Sequence, residues 1–153
     1  MSLDVCIVVF DDCAPLASIG PFEILAKAGS IHAERTGGSA ADPFFRVRLV
    51  SSGPGLVRSP SGYTVSSHAA IDSVGSADLV IVPAFDGDVL KQLEQNRPFV
   101  PWVRRMYDGG ADVASICTGA FVLAEAGLLD GKSATTHWLV HDLFSQRYPR
   151  VTL

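Results

Sequence analysis

Four short runs, Val5 to Phe10, Val47 to Val50, Leu79 to Val82 and Val113 to Ile116, are apolar almost throughout and rich in β-branched residues. A strand with one wet face alternates apolar and polar positions; these runs do not, so they read as strands covered on both sides. Between them the apolar positions recur at helical spacing. Helices are predicted over Pro21 to Ala28, ended by Gly29; over Val89 to Gln95, with Asp88 as N-cap; over Phe99 to Tyr107, ended by Gly109-Gly110; and over Thr118 to Ala126, ended by Gly127. Strand and helix in alternation predict an α/β fold, a doubly wound parallel sheet sandwiched by helices in the flavodoxin-like manner. The stretch Leu56 to Ser67 departs from that rhythm: Ser59-Pro60-Ser61-Gly62 carries turn signals and Tyr63-Thr64-Val65 follows, which predicts a hairpin-like insertion. Residues 37–43 read as a surface loop, His32 and His68 fall in loop-like segments, and Phe121 and Trp138 read as packing residues.

Composition narrows the picture to a single domain. The chain has 153 residues, 48% hydrophobic and 18% charged, enough for a substantial core but not for two domains. No apolar run approaches the roughly 20 residues of a membrane span, and the start of the chain lacks a basic, cleavable leader, so the cytoplasm is the expected compartment. Cys6, Cys13 and Cys117 form neither a disulfide framework nor a metal-ligand spacing, and no cofactor is implied. With 16 acidic against 12 basic residues the formal charge is −4, which argues against direct binding to nucleic acid.

The candidate chemistry centres on Cys117, where the β-type run Val113 to Ile116 meets the helix-type run from Thr118. A cysteine there sits on a sharp strand-to-helix turn, a nucleophile elbow, with helix N–H groups beneath it that favour the thiolate. The alternative is a packed cysteine acting as a small hydrophobe. Ligands of open parallel sheets bind outside the carboxyl ends of the strands. The residues that follow the strands there are Asp11, Asp12 and Cys13, then Pro83, Ala84 and Phe85, then Cys117 and Thr118. They are expected to converge on one pocket. The N–H of Thr118 with one from Ala84 or Phe85 would form an oxyanion site, unless Pro83-Ala84-Phe85 is only a strand-ending turn with a core phenylalanine. Glu23 either shares a proton with the cysteine or is a solvated residue favoured at a helix start. His137 either reaches the pocket as base or ligand donor or is hydrogen-bonded within the core. His141 shares a helical face with His137, but no third metal ligand is evident, so no metal site is expected.

The run Ser115-Ile116-Cys117-Thr118-Gly119-Ala120-Phe121-Val122-Leu123-Ala124, continued by Glu125 to Lys132 and then by Ala134-Thr135-Thr136-His137-Trp138, resembles the PfpI/ThiJ group of class I glutamine-amidotransferase-like domains. Within that group it is most similar to the N-terminal sensor domains of AraC-type transcription regulators, and the resemblance includes Ile19-Gly20-Pro21-Phe22-Glu23. Proteolytic relatives place a histidine after the cysteine, where this chain has Thr118. Isocyanide-hydratase relatives carry an acid where this chain has Ala17, and Gly-Gly where it has Ala84-Phe85. Arg147-Tyr148-Pro149 is closer to the regulators. The resemblance therefore implies a sensor domain for a small-molecule effector, homodimeric, reaching DNA only through a helix-turn-helix module absent from this chain. It also implies a truncated C-terminus. The alternative is a stand-alone cysteine enzyme of the hydratase or amidase kind, with Glu23 or His137 assisting Cys117; a third is a redox sensor cycling through sulfenic acid.

Overall fold

The computed structural model describes residues 2–39, 42–53 and 55–153. At its centre is β1 (Leu3–Val8), whose Val5, Cys6, Ile7 and Val8 are wholly inaccessible to solvent. It pairs in parallel with β2 (Phe45–Ser51) on one side, Val5 opposite Val47, and with β6 (Leu79–Val82) on the other, Val5 opposite Leu79. A short β5 (Ala69–Ala70) extends the β2 edge and β7 (Asp112–Ser115) the β6 edge, giving the order β5-β2-β1-β6-β7 with every pairing parallel. This is the doubly wound sheet expected. Between β2 and β5, β3 (Leu56–Arg58) and β4 (Thr64–Ser66) form the expected antiparallel hairpin.

Helix α1 (Pro15–Arg35) is much longer than its expected span. Proline starts it, but that proline is Pro15, in the first turn where no N–H is missed; the helix then runs on through Pro21. Gly29, read from sequence as a stop, is a contact instead: a Cβ there would lie 2.8 Å from the Phe45 backbone nitrogen, so α1 lies flat on β2 only without a side chain at this position. His32 is therefore helical, its ring 4.7 Å from that of Phe44. His68 has a defined place too: its N–H donates to the Leu49 carbonyl, its Nδ1 accepts the Leu49 N–H, both at 2.8 Å, and its ring stacks on Phe22.

Helix α2 (Val89–Gln95) matches its expected bounds, and the Asp88 carboxylate accepts the N–H groups of Leu90 and Lys91 as an N-cap should. Helix α3 (Phe99–Asp108) buries Phe99, Trp102, Val103 and Met106 and ends at Gly109 and Gly110. The last helices are α4 (Ala120–Glu125) and α5 (His141–Arg147), which meet through an edge-on contact of Phe121 and Phe144, both fully buried. Phe121 is the packing residue expected. Trp138 is not: it lies in a 3₁₀ turn, Trp138–Val140, and is 76% exposed. The loop expected at 37–43 includes residues 40 and 41, which lie outside the described residues.

Candidate functional site

The backbone leaves β7 with the Ile116 N–H still donating to the Val82 carbonyl at 2.9 Å, then turns sharply. Cys117 occupies the left-handed region at φ 55°, one of two non-glycine residues described there, and begins a 3₁₀ turn, Cys117–Gly119, that feeds α4. A left-handed L-residue costs on the order of 1 kcal/mol, so the surrounding packing must hold it. Gly119 shows how: a Cβ there would sit 2.5 Å from the Val82 carbonyl oxygen and 2.7 Å from that of Pro83. The turn presses directly onto the end of β6, which only glycine permits.

Cys117 is partly exposed and lines a cleft of about 240 Å³ together with Ala84, Phe85, Thr118, His137 and Leu139. Thr118 is buried and spans the cleft floor, its Oγ1 accepting the Phe85 N–H at 2.8 Å and donating to the Phe85 carbonyl at 2.9 Å. This corrects one expectation. The Phe85 N–H is already committed, which leaves the N–H groups of Thr118 and Ala84 for an anion. Phe85 itself is a core residue, its ring tilted against Phe10. Thr136, which the sequence offers within the Thr135-Thr136-His137-Trp138 run but to which it assigns no role, donates its Oγ1 to the Cys117 carbonyl at 3.3 Å and ties the turn to the following segment.

His137 lies in the cleft, as one of its readings required. Its Nδ1 accepts the Leu139 N–H at 3.2 Å, so the neutral ring carries its proton on Nε2. Glu23 lies elsewhere: it is exposed on α1, beside Ile24, Lys27 and Ile31 on the rim of a shallow surface depression, and does not line the Cys117 cleft. Asp11 also lies outside it. Its Oδ1 accepts the Arg58 N–H at 2.8 Å, and with Asp12 it borders a separate cleft near the end of β2. The residues after the strands therefore do not converge on one pocket but divide between two. His141 is exposed beside Asp142, and no group of three or more His, Cys, Asp or Glu among the described residues is placed to hold a metal. Burial pushes the thiols of Cys6 and Cys13 up from their ordinary value, outweighing the Arg48 charge near Cys6 and the Phe10 backbone contact of Cys13. Both are packing residues by environment.

Residues 4–149 match the family model of the DJ-1/PfpI family. The chain belongs to the DJ-1/PfpI family. Over its whole length this DJ-1/PfpI domain is 30% identical to the HTH-type transcriptional regulator CdhR of Pseudomonas aeruginosa, of which it spans 42%. It is 29% identical over 94% of its length to the isonitrile hydratase of Pseudomonas putida, of which it spans 56%. Among solved structures, a Vibrio parahaemolyticus protein assigned to the transcriptional regulators superposes on all of the domain with a TM-score of 0.83 at 26% identity, 76% of that chain being covered. Both a regulator and an enzyme are thus relatives of this DJ-1/PfpI domain, and the chemistry at Cys117 has to decide between them.

Proposed function

We propose that this domain is the ligand-sensing half of an AraC-type transcription regulator, with a small-molecule effector held in the Cys117 cleft. The observation that carries this reading is what the cleft holds beside the thiol. Thr118, whose hydroxyl is committed to Phe85 on both sides, stands where a proteolytic relative has its base, and the only carboxylate proposed as a helper, Glu23, is not a lining residue. His137 and Asp86 also line the cleft, but no side-chain hydrogen bond joins either of them to the Cys117 thiol among the described residues; a nucleophile needs a base or acid engaged with it for turnover, whereas a binding cleft needs only shape and a few placed polar groups. Similarity to CdhR across the whole domain supports the same reading.

In this reading effector binding changes how the two copies of a homodimer present a DNA-binding helix-turn-helix module. The domain's own charge of −4 suits a module that leaves DNA contact to another part of the protein. Leu16, Ile24 and Ile31 form an exposed apolar stripe on α1 suited to the dimer contact. We place the protein in the cytoplasm, where its free cysteines stay reduced; none of its described helices is long and apolar enough to cross a membrane.

A second reading has support of its own: the relationship to an isonitrile hydratase and a cysteine held at φ 55° are what a hydratase-like enzyme would show. One experiment separates them. Isocyanides, dicarbonyls and a metabolite set are incubated with the wild type and with Cys117→Ala, following binding by calorimetry and turnover by product analysis. Binding without turnover that survives Cys117→Ala but weakens in His137→Ala supports the sensor. Turnover abolished by Cys117→Ala in a folded protein overturns it in favour of the enzyme.

A further inference from the structure

The edge strand β5 is only two residues long and meets β2 through Val50 opposite Ala69 and Ser51 opposite Ala70. Just before it, a side chain takes the place of backbone. The His68 N–H donates to the Leu49 carbonyl and His68 Nδ1 accepts the Leu49 N–H, both at 2.8 Å. One residue thus closes both polar groups of Leu49, which is 5% exposed. With Nδ1 occupied as an acceptor, the neutral ring carries its proton on Nε2.

A carbonyl oxygen keeps its lone pairs throughout the range in which an imidazole gains a proton. A second proton can enter the His68 ring only at Nδ1, where it sets one N–H against another and leaves the buried Leu49 donor without an acceptor. Turning the ring over brings Cδ2 to Leu49, not Nε2. The ring stacks on Phe22 of α1 at 5.5 Å between centroids and 14° between planes, yet His68 is exposed and so open to protons from solvent. No neighbouring charge offsets the conflict. Ser18, Ile19, Leu25 and Ala26 share Phe22's face of α1, and Phe45 and Val47 share Leu49's face of β2, all uncharged. Arg46 and Arg48 alternate to the other face of β2, where Arg46 pairs with Asp4. Glu23 and Lys27 border the depression on α1, and Asp72, beyond β5, is exposed in the 3₁₀ turn Ile71–Ser73. The other side-chain tie to this edge, Ser51 Oγ to Ser67 Oγ at 2.7 Å, joins two hydroxyls and does not titrate.

We propose that His68 is an acid-sensitive clasp on the sheet edge: neutral, it holds β5 on β2; protonated, it releases Leu49 and lets the edge strand open. The device goes beyond the sensor reading and stands whether the Cys117 cleft senses or catalyses.

The test follows imidazole ¹⁵N shifts and amide hydrogen exchange by NMR in the 153-residue chain between about pH 7.5 and about pH 5, with protection factors corrected for the intrinsic pH dependence of exchange. At the upper pH the His68 ring is expected to show the Nε2–H tautomer. Towards the lower pH the protection of the Leu49 amide is expected to fall on the order of tenfold or more, the amides paired between β2 and β5 following, while those paired between β1 and β6 keep theirs. His68→Asn sets an amide oxygen near the place of Nδ1 and cannot titrate; it is expected to keep Leu49 protected at both pH values. His68→Ala has no acceptor there and is expected to leave Leu49 weakly protected at both. The wild-type titration needs neither variant, so the result does not hang on their folding. The proposal is overturned by a Leu49 protection factor that does not change with pH in the wild type, by a proton on Nδ1 at the upper pH, or by a folded His68→Asn protein that keeps the wild-type pH dependence.

Discussion

At Gly119 the room for one side-chain atom decides whether the turn at Cys117 can exist. A Cβ placed 2.5 Å from one carbonyl oxygen and 2.7 Å from another meets rigid backbone on both, so neither can yield as a flexible side chain would. Gly119→Ala is expected to destabilise the domain by about 2–3 kcal/mol or more, read as a drop in the urea midpoint at unchanged m-value. Thr118→Val tests the same region by chemistry rather than volume. The two side chains are nearly isosteric, but valine leaves the Phe85 N–H and carbonyl, both served by Thr118 Oγ1, without partners in a buried place. Each orphaned group costs about 1–3 kcal/mol, so a loss of roughly 2–4 kcal/mol is expected, with faster hydrogen exchange at the Phe85 amide. Thr118→Ser, which restores the hydroxyl, should recover most of it. A Thr118→Val protein as stable as wild type would mean that the hydroxyl merely fills space.

Among the elements, those whose signals are local were legible in the sequence and those whose signals depend on a distant contact were not. Asp88 caps α2 with its own carboxylate, and the hairpin from Leu56 carries its turn in four consecutive residues; both were readable in place. Gly29 looks the same to the eye whether it stops a helix or lets one lie against a strand, and only the approach of Phe45, sixteen residues on, distinguishes the cases. The site divided in the same way. Cys117 and Thr118 were legible because strand, turn and helix are adjacent in sequence, whereas the separation of Asp11 from Cys117 depends on the bridge of Cys13 to Phe85, which joins the loops after β1 and β6. The packing of α4 on the segment after α5 offers a pH test at this scale. Glu125 accepts from the Tyr148 hydroxyl at 2.7 Å and from Arg147 Nε at 2.8 Å. Burial opposes its ionisation, but these two hydrogen bonds and the Arg147 charge outweigh burial and hold the carboxyl below its ordinary value. The unfolded chain therefore takes up the proton first. The contribution is complete above the ordinary glutamate value of about 4.3 and is lost as pH falls through the lower folded value. Since Glu125 is 29% exposed, the amount is modest, about 0.5–1 kcal/mol. Glu125→Gln should flatten the acid limb of a stability–pH curve below about pH 5 and leave the relative slope near neutrality unchanged.

For the whole molecule the open question is what covers α1. Leu16, Ile24 and Ile31 stand at intervals of eight and seven, hence on one face of the helix, and are 83%, 69% and 41% exposed. Scattered single apolar residues on a surface need no explanation, but Ile24 and Ile31 border one shallow depression with Ala28, and Leu16 stands exposed on the same side of the helix. Glu23 and Lys27, one turn apart, flank it. That pattern is self-complementary: in an antiparallel crossing of two α1 helices about a two-fold axis, Glu23 of one copy meets Lys27 of the other while the apolar strips close on each other. Fully burying one leucine or isoleucine is worth about 1.5–3 kcal/mol, and each copy contributes three, enough to offset much of the cost of association. Ile24→Glu removes the central apolar residue and sets a second negative charge beside Glu23. At an exposed position it should change the stability of the isolated domain by no more than about 0.5 kcal/mol. Sedimentation equilibrium is expected to show a wild-type dimer and an Ile24→Glu monomer, with Glu23→Lys paired to Lys27→Glu restoring association that either charge reversal alone weakens. A wild-type monomer, or an Ile24→Glu dimer of undiminished affinity, would remove α1 as a contact between copies.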